Sequence, residues 1–337
     1  VSARPTIKDV AARAGVSKGM VSLALRGVPG PSAQTAARVL QAAAELGYRA
    51  DRAATSLALR RTRLLGIMMT LRNAFHAELV EELQSEAEEA GYEVVLAAVT
   101  RTRGERAAVE TLLDSRCEAL LLLGPELPGG ELAALQHRTP VVVLGRRSRA
   151  GDVHGGRGPD VVRASDEVGM RLLVEHLVGL GHRELLHVSG GVGDIAADRR
   201  HGFEAAVAAA GVRGRVVEGA FDEEGGAAAA HRVLREGWAG TAVVAASDRV
   251  ALGVLDVLVR EGIAVPGRIS VAGYDDSSLA QLAHVRLTSV SQDPAEQAAR
   301  AVRAAVRRLE GGDEEPADVV LAPRLVVRDT TGPFMSE

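Results

Sequence analysis

From Leu64 onward the chain alternates short apolar runs with amphipathic helical stretches, and that alternation leaves few folds open. "LLGIMMT" precedes "HAELVEELQSEAEEAG"; "YEVVLAAV" precedes "GERAAVETLLDSR"; "ALLLLG" and "VVVLG" continue the series. After a Gly/Arg-rich stretch at 145–160 the pattern restarts, with helices predicted at 166–180, 198–210, 223–236 and 249–261. Strands are predicted at 184–189, 215–218, 242–246 and 269–272. Runs of four to eight apolar residues between helices predict strands buried on both faces, hence two parallel sheets each covered by helices. Such sheets bind ligands at the carboxyl ends of their strands.

The first 63 residues are of another kind. They carry eleven Lys/Arg against three Asp/Glu, a net of +8, while residues 64–337 carry 29 against 41, a net of −12. A basic module on an acidic body suggests that the small end meets a polyanion. Charge alone does not separate DNA, RNA and membrane surface. The stretch "TIKDVAARAGVSKGMVSLALRG" narrows the choice. Thr6 with Asp9 three residues on is a capping-box signature, and Ile7, Val10, Ala11 and Ala14 recur at helical spacing. Gly15 supplies a left-handed turn residue, Val16 tucks beneath it, and Ser17 caps a second helix. The buried stripe of that helix is Met20 or Val21 with Ala24 and Leu25. A small residue at Ala11 and an apolar contact at Val21 around the Gly15 turn are the steric needs of a helix-turn-helix. Its second helix would enter the major groove with Lys18 able to donate to guanine O6 and N7. A third helix is predicted over "AQTAARVLQAAAELGY", capped by Ser32.

Several function classes are disfavoured. No apolar run reaches the roughly 18–20 residues of a membrane span, and the first residues lack the apolar core of a signal peptide. The single cysteine, Cys117, excludes an intramolecular disulfide and fits a reducing cytoplasm. The nine histidines form no HxxxH or HExxH, and no P-loop or Ser-His-Asp arrangement is legible, so neither an enzyme nor a metal site is expected. His182 is expected to finish a helix C-terminus. Gly191, Gly193 and Ala196 with Glu218 mimic a dinucleotide fingerprint, but they lie mid-chain in the second strand series, and no cofactor is expected.

Taken in order, "TIKDVAARAGVSKGMVSLALRG", "DRAATSLALRRTRLLGI", "EHLVGLGHRELLHVSG", "ASDRVALGVL", "ISVAGYDD" and "LTSVSQD" make the chain resemble the LacI/GalR family of bacterial repressors over essentially its whole length. The resemblance implies an all-α helix-turn-helix headpiece plus an α/β two-lobed core of the type I periplasmic-binding-protein kind, with two parallel sheets and three crossovers near 162, 292 and 322. It implies a headpiece over 1–50 and a hinge over 51–63. One lobe would be 64–162 with 293–321, and the other 163–292 with 322–332. Lys18 and Gly19 would read bases and Ser17, Ser22 and Thr35 would meet phosphates. Thr6, Met20, Leu23, Arg26, Ser32, Tyr48, Arg52 and Ala54 complete the DNA-facing set, and Leu57 would wedge into the minor groove at the dyad. Leu23 and Arg26 stand where many members have Arg and Asn, so apolar contact with a thymine methyl replaces one guanine contact.

For the effector, the same resemblance and the strand-end loops point to Thr70, Asn73, Phe75, His76, Gly145, Arg199, Phe221, Ser247, Asp275 and Gln292. Asp275 would accept hydroxyl hydrogen bonds and Phe221 would stack on a sugar face. The expected protein is a cytoplasmic, ligand-responsive repressor. It would act as a homodimer on a double-stranded, pseudo-palindromic operator, with a sugar-like effector, no cofactor and no membrane. A solute-binding protein of a transport system is the alternative, and it has no use for the basic first 63 residues.

Overall fold

The computed structural model describes residues 5–25, 28–48, 61–149, 151–153, 158–312 and 314–334. Arg26 and the hinge residues Arg52, Ala54 and Leu57 lie outside the described residues. The chain forms two units, Val1–Thr62 and Arg63–Glu337.

The first unit holds α1 (Ile7–Ala14), α2 (Lys18–Leu25) and α3 (Ala33–Leu46). Each helix contributes one apolar stripe, and Val10, Ala14, Val21, Val39 and Ala42 meet in a common core. Of the two candidates for the buried position of α2, Val21 is taken, with no exposed surface; Met20 is half-buried. An ion pair of 2.6 Å between Arg13 and Glu45 joins α1 to α3. It is solvent-exposed and adds little beyond the apolar contacts.

In the second unit the strands are β1 (Leu64–Thr70), β2 (Glu93–Val99), β3 (Ala119–Leu123), β4 (Val141–Leu144), β5 (Asp160–Ala164), β6 (Glu184–Val188), β7 (Arg213–Val217), β8 (Ala242–Ala245), β9 (Ser270–Asp275), β10 (Thr288–Ser291), β11 (Asp318–Leu321) and β12 (Arg324–Val326). The helices are α4 (Ala74–Glu89), α5 (Glu105–Asp114), α6 (Gly129–Gln136), α7 (Asp166–Gly179), α8 (Asp194–Ala209), α9 (Glu223–Arg235), α10 (Asp248–Arg260), α11 (Ser278–Gln281) and α12 (Pro294–Leu309). They build two six-stranded sheets, ordered β11-β5-β4-β3-β1-β2 and β12-β10-β9-β8-β6-β7. All neighbours are parallel except β12, which runs antiparallel to β10.

Strand periodicity explains why the runs are apolar throughout. In β3, Leu120 and Leu122 face Val109 and Leu112 of α5, while Leu121 and Leu123 face Phe75, Leu79 and Ala301 of α4 and α12. The second sheet repeats the scheme. Val243 meets Val254 and Leu258 of α10, and Val244 meets Leu173 and Phe203 of α7 and α8. Truncating any of these leucines to alanine would cost about 2–5 kcal/mol.

The chain passes between the lobes three times: from β5 into α7, from β10 into α12, and from β11 into β12. The first crossing falls at Ser165 rather than near 162, because β5 continues to Ala164 and pairs with both β4 and β11. At the second, Asp293 adopts φ 55° and its carboxylate caps α12 through the Glu296 amide at 3.2 Å. His182 does not simply finish a helix. It is buried, 2.8 Å from the Thr241 hydroxyl through Nδ1 and 3.1 Å from both Ser270 Oγ and the Gly332 carbonyl through Nε2. Burial holds its pKa below the ordinary histidine value.

Candidate functional site

Two places concentrate the residues singled out in the sequence. The first is the amino end of α2. Asp9 accepts from both the Thr6 amide and hydroxyl at 2.7 Å, and these bonds hold its carboxyl below the usual range. Gly15 ends α1 at φ 63°, left-handed, with its amide returning to the Ala11 carbonyl. Ser17 then caps α2 through the Met20 amide at 3.2 Å. The outcome is a short helix with Val21 and Ala24 inward, Ser17, Lys18 and Gly19 exposed, and Met20, Ser22 and Leu23 half-buried. Ser32 accepts from the Thr35 amide at 3.2 Å and lies 2.9 Å from its hydroxyl, so both side chains sit at the amino end of α3. Tyr48 packs on the headpiece core.

The second is a cavity of about 420 Å³ in the larger unit, lined by both lobes. Thr70, Asn73, Phe75, His76, Gly145, Arg199, Phe221, Asp275 and Gln292 all line it. Strand ends bring them there: Thr70 closes β1, Gly145 follows β4, Asp275 closes β9 and Gln292 follows β10. Ser247 is the exception. It is buried, and its hydroxyl caps α10 through the Val250 amide at 3.3 Å, so it does not line the cavity.

Arg199 is the polar centre. Its guanidinium is buried, donating from Nε to Asp166 at 3.0 Å and from Nη1 to the Ala246 carbonyl at 2.5 Å and to Asp275 at 3.4 Å. It lies 3.8 Å above the Tyr274 ring centroid and 5.8 Å from that of Phe221. A buried cation needs such partners. Asp275 Oδ1 also accepts from Gln292 Nε2 at 2.8 Å. Its φ of 113° is strained for a non-glycine residue, worth about 1–3 kcal/mol, and the two donors hold it there. Burial pushes its pKa to about 6 despite Arg199. Neighbouring Asp248 is pushed to about 8 by burial and by Asp275, while the Ser277 amide and hydroxyl bond it at 2.7 and 2.8 Å.

Across the cavity His76 Nδ1 accepts from the Thr70 amide at 3.1 Å, which places the ring proton on Nε2. Burial lowers its pKa to about 4, so the ring is neutral near pH 7. Hydroxyl-bearing compounds suit such a mixture: a carboxylate acceptor, arginine and imidazole donors, an amide and an aromatic face.

Sequence reasoning missed Asp166, which reads as an ordinary acidic residue in a first helical turn. It also missed the arginines that span the lobes. Arg149 joins Glu126 at 2.7 Å and also bonds Asp194, and Arg147 bonds Asp198. The Gly/Arg-rich composition of 145–160 was their only signal. Among the described residues no cluster of His, Cys, Asp or Glu is arranged to hold a metal, and no helix is long and apolar enough to cross a membrane.

A helix-turn-helix headpiece on a two-lobed, cavity-bearing core defines a class: DNA-binding regulators with a periplasmic-binding-protein-like core. The model described as "Bacterial regulatory proteins, lacI family" matches residues 6–51, and that of a "Periplasmic binding protein-like domain" matches 174–331. The HTH-type transcriptional regulator AscG of Escherichia coli (strain K12) is 30% identical, over 96% of this chain and 98% of its own. Among solved structures, a LacI transcriptional regulator from a Rhodococcus species is 44% identical, covering 80% of this chain and 98% of that one, with a TM-score of 0.76. The Lac repressor dimer bound to operator and the anti-inducer ONPF is 29% identical, over 97% and 99%, with a TM-score of 0.83. A complex of the regulator CelR with cellobiose is 30% identical, over 97% and 100%, with a TM-score of 0.71. The chain belongs to the lacI family of bacterial regulatory proteins. It is a transcriptional regulator with a DNA-binding helix-turn-helix.

Proposed function

We propose that the protein is a repressor that binds a pseudo-palindromic operator as a dimer and changes its affinity when a neutral, sugar-like effector occupies the cavity between the lobes. In this reading Lys18 and Gly19 face base edges, with Met20 and Leu23 beside them, and Ser17, Ser22 and Thr35 meet phosphates. Residues 51–63 act as the hinge. The lobes comprise 64–164 with 293–321, and 165–292 with 322–332. The cytoplasm is its working compartment.

The observation that carries the effector assignment is the Asp275–Arg199–Gln292 arrangement in the cavity wall, with Phe221 beside it. Asp275 Oδ1 takes both protein donors, and Oδ2 has no partner among the described residues. A sugar ring offers hydroxyls that donate to such an oxygen and a C–H face for Phe221. The similar CelR structure, which holds cellobiose, supports the same class.

Thermal denaturation against neutral mono- and disaccharides tests this. A ligand at about a hundred times its Kd stabilises the native state by about 2.7 kcal/mol, a rise in melting temperature of several degrees. The rise is expected with at least one sugar and is expected to vanish in Asp275→Asn. An unresponsive wild type, or a response that survives Asp275→Asn, contradicts the assignment.

A further inference from the structure

We infer that Asp166 is a positioning residue: it ties Arg199 to the first crossing between the lobes as Gln292 ties Asp275 to the second, so one hydrogen-bonded chain couples the cavity wall to both crossings. The inference rests on the cavity reading above for what the chain responds to.

Asp166 opens α7 immediately after the chain leaves β5, the strand that belongs to the first lobe. Its carboxylate is not needed as a cap, since Ser165 Oγ already accepts from the Val168 amide at 3.3 Å. It reaches instead to Arg199 Nε on α8, at 3.0 Å. Close approach of α7 and α8 permits this. At Gly202, one turn beyond Arg199, a Cβ would stand 3.1 Å from both Glu167 Cα and Met170 Cβ, tighter than ordinary contact.

From Arg199 the chain continues. Nη1 reaches Asp275 at 3.4 Å, Asp275 accepts from Gln292 Nε2 at 2.8 Å, and the Gln292 carbonyl accepts from Gln297 Nε2 at 2.9 Å. Gln297 is buried on α12, which packs on the first lobe. The chain therefore starts at one crossing, runs along the cavity wall and ends in a helix beyond the other. Its longest link, Arg199 to Asp275, joins two cavity-lining residues. A ligand that bonds either of them acts on the middle of the chain. Because Arg199 is a buried cation, losing one carboxylate changes how strongly it holds the other.

Hydrogen exchange on the full-length protein, with neither DNA nor sugar present, tests the coupling. Reporters at the first crossing are the amides of Val168 and Gly169, which bond Ser165. At the second they are the amides of Glu296 and Gln297, which bond Asp293. Asp166→Asn keeps the side-chain volume and removes the charge. It is expected to speed exchange by about fivefold or more at Glu296 and Gln297 as well as locally. Gln292→Leu is expected to do the reverse, reaching Val168 and Gly169, and the double variant to exceed neither single variant by much. Asp166→Glu, which restores the charge, is expected to recover most of the protection at the second crossing; a space-filling role would not depend on charge. Acceleration confined to the mutated crossing, in either variant, overturns the inference. So does strict additivity in the double variant. If Asp166→Asn does not fold, Gln292→Leu still decides. A failure here leaves the sugar-binding reading untouched, since that rests on the separate melting experiment.

Discussion

At the residue scale, the ionisable groups around the cavity and in the second-lobe core pull in opposite directions with pH. His76 and His187 are buried with pKa values lowered to about 4, in both cases chiefly by desolvation. A histidine whose folded pKa lies below its unfolded value stabilises above about pH 6.5, and that contribution is lost as pH falls toward 4. Asp275 and Asp248, raised to about 6 and 8, act with the other sign: their contribution is full below about pH 4 and is lost as pH rises. His187 isolates the first effect. It lies in β6, stacked 5.2 Å from Phe203, its Nδ1 2.9 Å from the Val244 carbonyl, its Nε2 without a partner among the described residues. Arg199, Arg200 and Glu204 are the charges that act on it. We predict that His187→Leu flattens the loss of unfolding free energy between pH 6.5 and 4.5, by about 2–3 kcal/mol at the acid end. An unchanged acid limb would show that other groups set it.

At the scale of elements, the turn between α1 and α2 separates backbone cost from packing cost. A Cβ on Gly15 would meet nothing within 4 Å, yet φ there is 63°. Gly19, inside α2, has no such backbone demand, and its Cβ would touch only the Ser17 hydroxyl at 3.8 Å. We predict that Gly15→Ala destabilises a fragment of residues 1–62 by about 1 kcal/mol. Gly19→Ala should stabilise it by about 0.5 kcal/mol while altering DNA affinity. Urea unfolding followed by circular dichroism distinguishes the two, and equal signs would refute the turn geometry. The elements also show what can be read from a sequence. β3, β4 and β8 announce themselves because both faces are buried and every residue is apolar. β5 and β11 begin with an aspartate and follow polar stretches of sequence, so neither is legible as a strand. α6 opens with two glycines and carries little helical signal. In the cavity, Asp275 is legible because it closes a strand where a parallel sheet places ligands, and Arg199 because its motif resembles the family's. Asp166 was not, since only the tertiary approach of α7 and α8 turns a first-turn acid into a partner for Arg199. Ser247 was misread because its hydroxyl is already spent as a helix cap.

For the whole molecule, one chain carries a helix-turn-helix headpiece whose second helix exposes Lys18 and Gly19, and a core whose cavity is built from two lobes crossed three times. If DNA and effector favour different lobe geometries, each must change the other's affinity by the same factor, typically about 1–3 kcal/mol. The arginines of 145–149 that reach α8 also bear on that geometry, because Arg147 and Arg149 bond Asp198 and Asp194 on the other lobe. The decisive measurement is fluorescence anisotropy of the full-length protein on duplex DNA from upstream of its own gene. It is run over a salt series, with and without the sugar that raises its melting temperature. Tight, saturable binding to one palindromic segment is predicted, weakening steeply with salt as phosphate contacts release counterions and shifting when the sugar is added. Binding that ignores sequence and is indifferent to the sugar would contradict the account.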